Sequence, residues 1–259
     1  MRTVLAMSAR RFWLACLFAA ISLPLAAQAP TEGDYLYSVV LLRAAPGAFN
    51  DLIEALAEAD DLREEAGDEA SFRIRHSQGD HWDFMLILPM EGRPEYHASA
   101  RTERRSQVWG SDRGQEVRSR LEAATSYREE WTATSVPLDE MARRFSGMAL
   151  FHVEMFAGLP GLREDLLEQR RMENRYYAEL DRQQNLLFVR EGGSNWDAMT
   201  IGFHESLSSF AAAGASIPAA RQDRAARAAG FEGVDSIGPY LRSLLSYHND
   251  TLGVPLPRD

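Results

Sequence analysis

The sequence contains no lysine: all 28 basic residues are arginine. Schiff-base chemistry, including a lysine-bound pyridoxal cofactor, is thereby excluded. The single cysteine, Cys16, falls in an N-terminal leader. The rest of the chain therefore has no disulfide, thiolate ligand or cysteine nucleophile. No nucleophile elbow, phosphate-binding loop or dinucleotide fingerprint occurs. The apolar run at residues 12–25 is broken by Pro24 and is too short for a membrane span. Positive charge is scarce as well. The 28 arginines face 38 acidic residues, a net charge of -10, and the balance is more negative without the leader's three arginines. Nucleic acid and anionic membrane surfaces would be repelled and are not expected partners.

The leader reads as a signal peptide over residues 1–27. Arg2, Arg10 and Arg11 form a basic region, an apolar stretch follows, and Ala26-Ala27-Gln28-Ala29 supplies small residues for cleavage. Cleavage after Ala27 is favoured over Ala29, because Pro30 makes a poor first residue. The Arg10-Arg11 pair leaves general secretion and twin-arginine export both open. A periplasmic or secreted location follows as an expectation, with no stable membrane span after cleavage. An exported chain without disulfides must be held by its core, and about 230 residues suffice for that.

What the sequence does have is an internal echo. Pro46-Gly47 recurs as Pro160-Gly161, and Trp82-Asp83 as Trp196-Asp197, both 114 residues later. Val39, Asp51, Leu52, Glu54, Glu65, Gly79, Met85 and Ile87 recur at the same offset as Val153, Asp165, Leu166, Glu168, Glu179, Gly193, Met199 and Ile201. A gapless match of this length indicates a duplicated folding unit. Each copy opens with a β-rich run, residues 37–43 and 151–157. A Pro-Gly pair then precedes a helical stripe, with the proline placed in the helix's first turn. Two hairpin strands follow, residues 71–76 and 82–88 in the first copy, 185–190 and 196–204 in the second. Variable helical regions at 95–124 and 207–245 come next, and Ser126-Tyr127 and Ser246-Tyr247 open short final strands.

The order β-α-β-β-α-β is the split βαβ, ferredoxin-like unit. The expected fold is α+β: two ferredoxin-like repeats, residues 35–138 and 147–258, packed as an internal α+β barrel behind the signal peptide. Each sheet leaves one face uncovered, and the second copy buries it. With its strand–Pro-Gly–helix openings and Trp-Asp hairpins, the chain resembles the dimeric α+β barrel superfamily, similar in cadence to NIPSNAP-like and antibiotic-monooxygenase-like domains. That superfamily includes cofactor-free oxygenases, haem-handling enzymes and proteins of unknown role. The resemblance transfers no catalytic residue, because no family motif is matched.

Strand alternation supplies the candidate site. In residues 151–156, Phe151, Val153 and Met155 are wholly apolar, whereas His152, Glu154 and Phe156 point the other way. The apolar set is assigned to the helix-packed face and the mixed set to the interface between the two sheets. His152 and His204 are then near-opposite on neighbouring strands, with Glu154 one step along, facing small residues such as Gly202. The first copy has Ser38, Val40 and Met90 at these positions. His152, Glu154 and His204 are candidate ligands for a divalent metal such as iron, manganese or zinc. The same histidines would serve as haem ligands or an acid–base pair, and a hydrogen-bonded polar cluster is the plain alternative. Arg73 and Arg75, with Trp196 and His204, are candidates for holding a small ligand's carboxylate or phosphate. Arg73 and Arg75 otherwise form a surface pair or an ion pair to Glu154. Trp82, Asp83, Trp196 and Asp197, present in both copies, are expected to serve the fold.

The leading functional expectation is a small ligand bound between the two sheets. The alternatives are a metal- or haem-dependent oxygenase-type enzyme using the His/Glu/His cluster, or a structural, stress-related interaction protein with a filled barrel. Monomer and homodimer, through sheet edges, are both expected possibilities.

Overall fold

A computed structural model of the chain describes residues 29–77, 81–213 and 216–258. The leader expected to be a signal peptide lies outside the described residues. The first half runs β1 (Tyr35–Ala44), α1 (Phe49–Glu65), β2 (Phe72–His76), β3 (Phe84–Glu91), α2 (Arg93–Tyr96), α3 (Ser99–Gly110), α4 (Asp112–Ala124) and β4 (Thr125–Ser135). A linker helix, α5 (Leu138–Phe145), leads to the second half. There β5 (Leu150–Gly158), α6 (Arg163–Glu179), β6 (Leu186–Gly192) and β7 (Ala198–His204) are followed by α7 (Leu207–Ala212), α8 (Ala219–Ala228), α9 (Ile237–Leu244) and β8 (Leu245–Pro255).

The eight strands close into one antiparallel barrel in the order β1-β3-β2-β8-β5-β7-β6-β4. Each half contributes the same run, β4-β1-β3-β2 and β8-β5-β7-β6. Short ladders join the halves, Ile74–His76 with Gly253–Pro255 on one side and Thr132–Thr134 with Val189–Gly192 on the other. Closure consumes every strand edge, so edge-to-edge pairing of two copies is not available to this sheet. No described helix is long and apolar enough to cross a membrane.

The opening turn is built identically in the two halves. Ala48 N–H donates to the Ala45 carbonyl (2.9 Å) and Leu162 N–H to the Leu159 carbonyl (3.0 Å), with Gly47 and Gly161 both at φ 84°. Proline second and a positive-φ glycine third define a type II turn. The prolines therefore sit in the turn ahead of each helix rather than in its first turn. The Trp-Asp pairs tether this corner. Asp83 Oδ2 accepts from Ala44 N–H (2.8 Å), and Asp197 Oδ2 accepts from Gly158 N–H (2.9 Å).

The barrel interior is filled. Tyr37, Val39 and Leu41 from β1 meet Phe151, Val153 and Met155 from β5, with Trp82, Trp131, Phe188 and Trp196 between them, all buried. The linker helix stoppers one end: Met141 joins this core, and the ring of Phe145 packs against Phe72, Phe151 and Phe203. Separate apolar layers lie outside the barrel, beneath α1 and α4 in the first half and α6 and α9 in the second.

This inverts the expected assignment of faces. Phe151, Val153 and Met155 fill the barrel, while Glu154 and Phe156 meet the helix layer. The reason is packing: inside a closed barrel both sheets face each other with no route to water, so the purer apolar set belongs there. The helices cover the outer face only partly and tolerate polar groups at their margins. An interior ligand site between the sheets is overturned by the same packing.

Candidate metal centre on the outer face of the second half

Register brings the polar residues of three strands together. On β5, His152 lies opposite Gly202, and Glu154 opposite Thr200 of β7. On the other side Glu154 lies opposite Asp250, and Phe156 opposite His248 of β8. All share the outer face. Above them passes α6, whose Arg170, Glu173 and Tyr177 occur at helical spacing on one side.

His152, Glu154 and Asp250 each offer a ligand atom, and these atoms lie within 4.8 Å of one another. His152 Nε2 is 2.6 Å from Asp250 Oδ1. Glu154 is the buried member: Thr200 Oγ1 donates to its Oε2 (3.2 Å), Arg170 Nη1 stands 3.7 Å from the same oxygen, and His248 Nε2 is 3.5 Å from Oε1. The Arg170 side chain, 2% exposed, stacks its guanidinium 4.6 Å from the Phe156 ring and also pairs with Glu173. Nε of Arg170 donates to Gln169 Oε1 (2.7 Å), and Tyr177 Oη donates to Glu173 (2.5 Å). The group opens to solvent at Asp250, whose side chain is 55% exposed.

Charge partners decide the ionisation of each group. Burial alone would raise the Glu154 carboxyl, but His248 Nε2, 3.5 Å away, and the charges of Arg170 and His152 hold it well below the usual carboxylate range. Burial likewise works against a charged His152, yet the hydrogen bond to Asp250 and the nearby Glu154 carboxylate raise its pKa above the ordinary 6.5. His204 goes the other way: burial, then the neighbouring His152, lowers it.

Of the expected ligands, His152 and Glu154 come together and His204 does not join them. Leu150, not His152, is opposite His204. The two rings flank Phe210, at 5.2 and 5.0 Å. The third donor is Asp250, contributed by β8, the other neighbour of β5. The set proposed for a small ligand is dispersed. Arg73 is buried under α1, 3.7 Å from Asp60 rather than paired with Glu154, and Arg75 is exposed. Trp196 precedes β7, escapes its alternation, and packs into the barrel core. His204 alone of the four lies on the outer face of the second half. In the first half the equivalent contact is Ser38 Oγ donating to Glu130 (2.7 Å), with no histidine and no buried acid at Val40.

No known protein family matches the chain in sequence, and no curated protein matches it. Solved structures do match in shape. An anthrone oxidase-like protein aligns at TM-score 0.54 and 11% identity, covering 88% of this chain and 93% of its own. A protein named as a candidate monooxygenase from Fusobacterium nucleatum subsp. nucleatum aligns at 0.51 and 7%, covering 87% and 94%. A chlorite dismutase from Candidatus Nitrospira defluvii aligns at 0.48 and 12%, covering 88% and 94%. The likeness is one of fold, an antiparallel α+β barrel with helices on its outside, consistent with ferredoxin-like folds.

Proposed function

We propose that this chain is an exported, metal-dependent enzyme of the oxygenase type, with its centre at His152, Glu154 and Asp250. The observation carrying this reading is the convergence of one imidazole and two carboxylates, one of them buried and held ionised. One nitrogen and several carboxylate oxygens suit a hard divalent ion such as iron(II) or manganese. Haem would draw on an imidazole here and leave the two carboxylates without a role as ligands. Thr200 and His248 orient Glu154 as outer partners of a metal ligand do. A bound iron or manganese ion would supply oxygen activation. His152 and Asp250 would hold the solvent side, Glu154 the buried side, and Arg170 would limit the negative charge. The names of two of the fold neighbours, an anthrone oxidase-like protein and a candidate monooxygenase, set the assay class, oxygen-dependent oxidation of small molecules.

Export rests on the leader's basic and apolar pattern. Duplication, with units at 35–138 and 147–258, rests on the 114-residue echo, and the NIPSNAP-like resemblance on the Pro-Gly and Trp-Asp positions. The filled barrel serves as scaffold in this reading, with chemistry moved to the outer face of one half.

The test is elemental analysis of the mature protein purified without a polyhistidine tag. Near-stoichiometric iron or manganese, lost in His152→Ala, is expected. Metal-free protein that also fails to take up either ion on titration would overturn the proposal.

A further inference from the structure

The first half lacks the polar cluster, and in its place it has space. A cavity of about 570 Å³ opens between the outer face of its sheet and helices α1, α3 and α4. That is within the size range of small-molecule pockets. Its walls are Val40, Leu42, Leu86 and Leu88 from the sheet and Leu56 and Leu121 from the helices. At the 114-residue offset the second half carries longer, polar Glu154 and Arg170 where the first has Val40 and Leu56, and Tyr177 in place of Arg63.

Arg63 gives this apolar cavity its chemistry. It lines the space, partly buried, and its Nε donates only to the Glu69 carbonyl at 3.4 Å. Among the described residues no carboxylate reaches ion-pairing distance of its guanidinium. The nearby acids are committed elsewhere. Asp68 is held by Arg101 (2.8 Å) and Arg105 (2.6 Å). Asp60 accepts from Ser71 N–H (3.0 Å) and Ser71 Oγ (2.8 Å) and faces Arg73. Burial accordingly lowers the Arg63 pKa, with Asp68 opposing. Asp60 itself lines the cavity, buried; at the rim, Arg128 is taken by Glu130 (2.6 Å), Arg118 leans on Trp109, and the other lining acid, Glu122, is exposed. A partly buried guanidinium with no ion-paired acid, at the wall of a largely apolar chamber, is arranged for an incoming anion.

The geometry points to a second binding site in this cavity, for a small amphipathic acid whose apolar body lies on the leucines of the sheet and whose carboxylate meets Arg63. This site is independent of the metal centre and survives its failure, because no residue is shared. Calorimetric titration of the full mature chain at pH 7 with decanoate and with decanamide, its neutral isostere, provides the test. Decanoate is expected to bind one per chain and at least tenfold tighter than decanamide. Arg63→Met should bring decanoate down to the decanamide level, whereas Arg63→Lys should keep most of the difference. Leu88→Trp, filling the cavity from its sheet wall, should weaken both ligands while leaving metal content unchanged. Equal binding of the two ligands by the wild type, or no binding of either, overturns the proposal. So does undiminished decanoate affinity in folded Arg63→Met.

Discussion

The imidazole of His152 lies 2.6 Å from the carboxylate of Asp250, and that contact makes stability depend on pH in a defined direction. The folded pKa of His152 is raised above 6.5, so the fold prefers the protonated ring. The resulting stabilisation is complete below pH 6.5 and disappears as pH rises through the folded value. Asp250 is 55% exposed, so solvent screens the pair and its contribution is about 0.5 kcal/mol. In metal-free protein the melting-temperature difference between wild type and Asp250→Asn should be widest below pH 6.5 and should shrink as pH rises above it. A difference that stays constant over this range would show that the contact is not titrating.

Glu154 behaves oppositely. Its pKa is depressed, so its contribution is present above the ordinary value of 4.5 and is lost as pH falls towards the folded value. In Glu154→Gln the Arg170 guanidinium, 2% exposed, keeps Glu173 but loses its second acid. We expect a cost of about 2 kcal/mol at pH 7, below that of a fully broken buried pair because one partner remains. The variant's stability should also fall less steeply between pH 5 and about pH 3. Urea denaturation across this range measures both, and a steeper acid limb in the variant would contradict the assignment.

The two aspartate tethers should act separately. Asp83→Ala and Asp197→Ala each strand one backbone N–H, of Ala44 and Gly158, at about 1–2 kcal/mol apiece. Asp197→Ala should cost more, since Asp197 also receives Arg190 at 2.7 Å. With no shared partners, the double variant should equal the sum within about 0.5 kcal/mol. A large non-additive term in the double-mutant cycle would mean that the halves communicate through these corners.

Two glycines with positive φ provide a contrast. Gly161, φ 84°, has open space where a Cβ would go. Gly193, φ 102°, would place that Cβ 2.7 Å from the Trp131 Cα and 2.8 Å from the Glu130 carbonyl, both backbone atoms of β4. Gly161→Ala should cost only the backbone strain of about 1–2 kcal/mol. Gly193→Ala must also displace the β4–β6 seam and should cost at least about 3 kcal/mol. Thermal melts of the pair decide this, and equal costs would argue that the seam is loose.

Much of the fold was legible because the same signals occurred twice in one register. Pro46-Gly47 and Trp82-Asp83, with their partners, marked turn and tether positions that backbone geometry makes indispensable. The faces were not legible, because Phe151, Val153 and Met155 would satisfy either a barrel interior or a helix layer. Alternation separates two sides of a strand without saying which side meets what. The site was half legible for a related reason. His152 and Glu154 stood out on β5, but Asp250 lies on the final strand β8, next to β5 in the sheet and distant from it in sequence. Pairing β5 with β8 as well as β7 would have found it, since His248 and Asp250 alternate on the same face. The linker helix was missed, although Met141 and Phe145 sit four apart, as a helix stripe requires.

Closing the barrel within one chain changes the order of the assembly reaction. Two separate units would meet through the β2–β8 and β4–β6 seams in a bimolecular step, with stability set by concentration. Here α5 holds the partners within reach, and the step becomes a ring closure whose entropic cost is fixed by linker length. Dilution cannot open such a barrel. Cutting the chain within α5 would restore concentration dependence, and would also remove Met141 and Phe145 from the end that they seal.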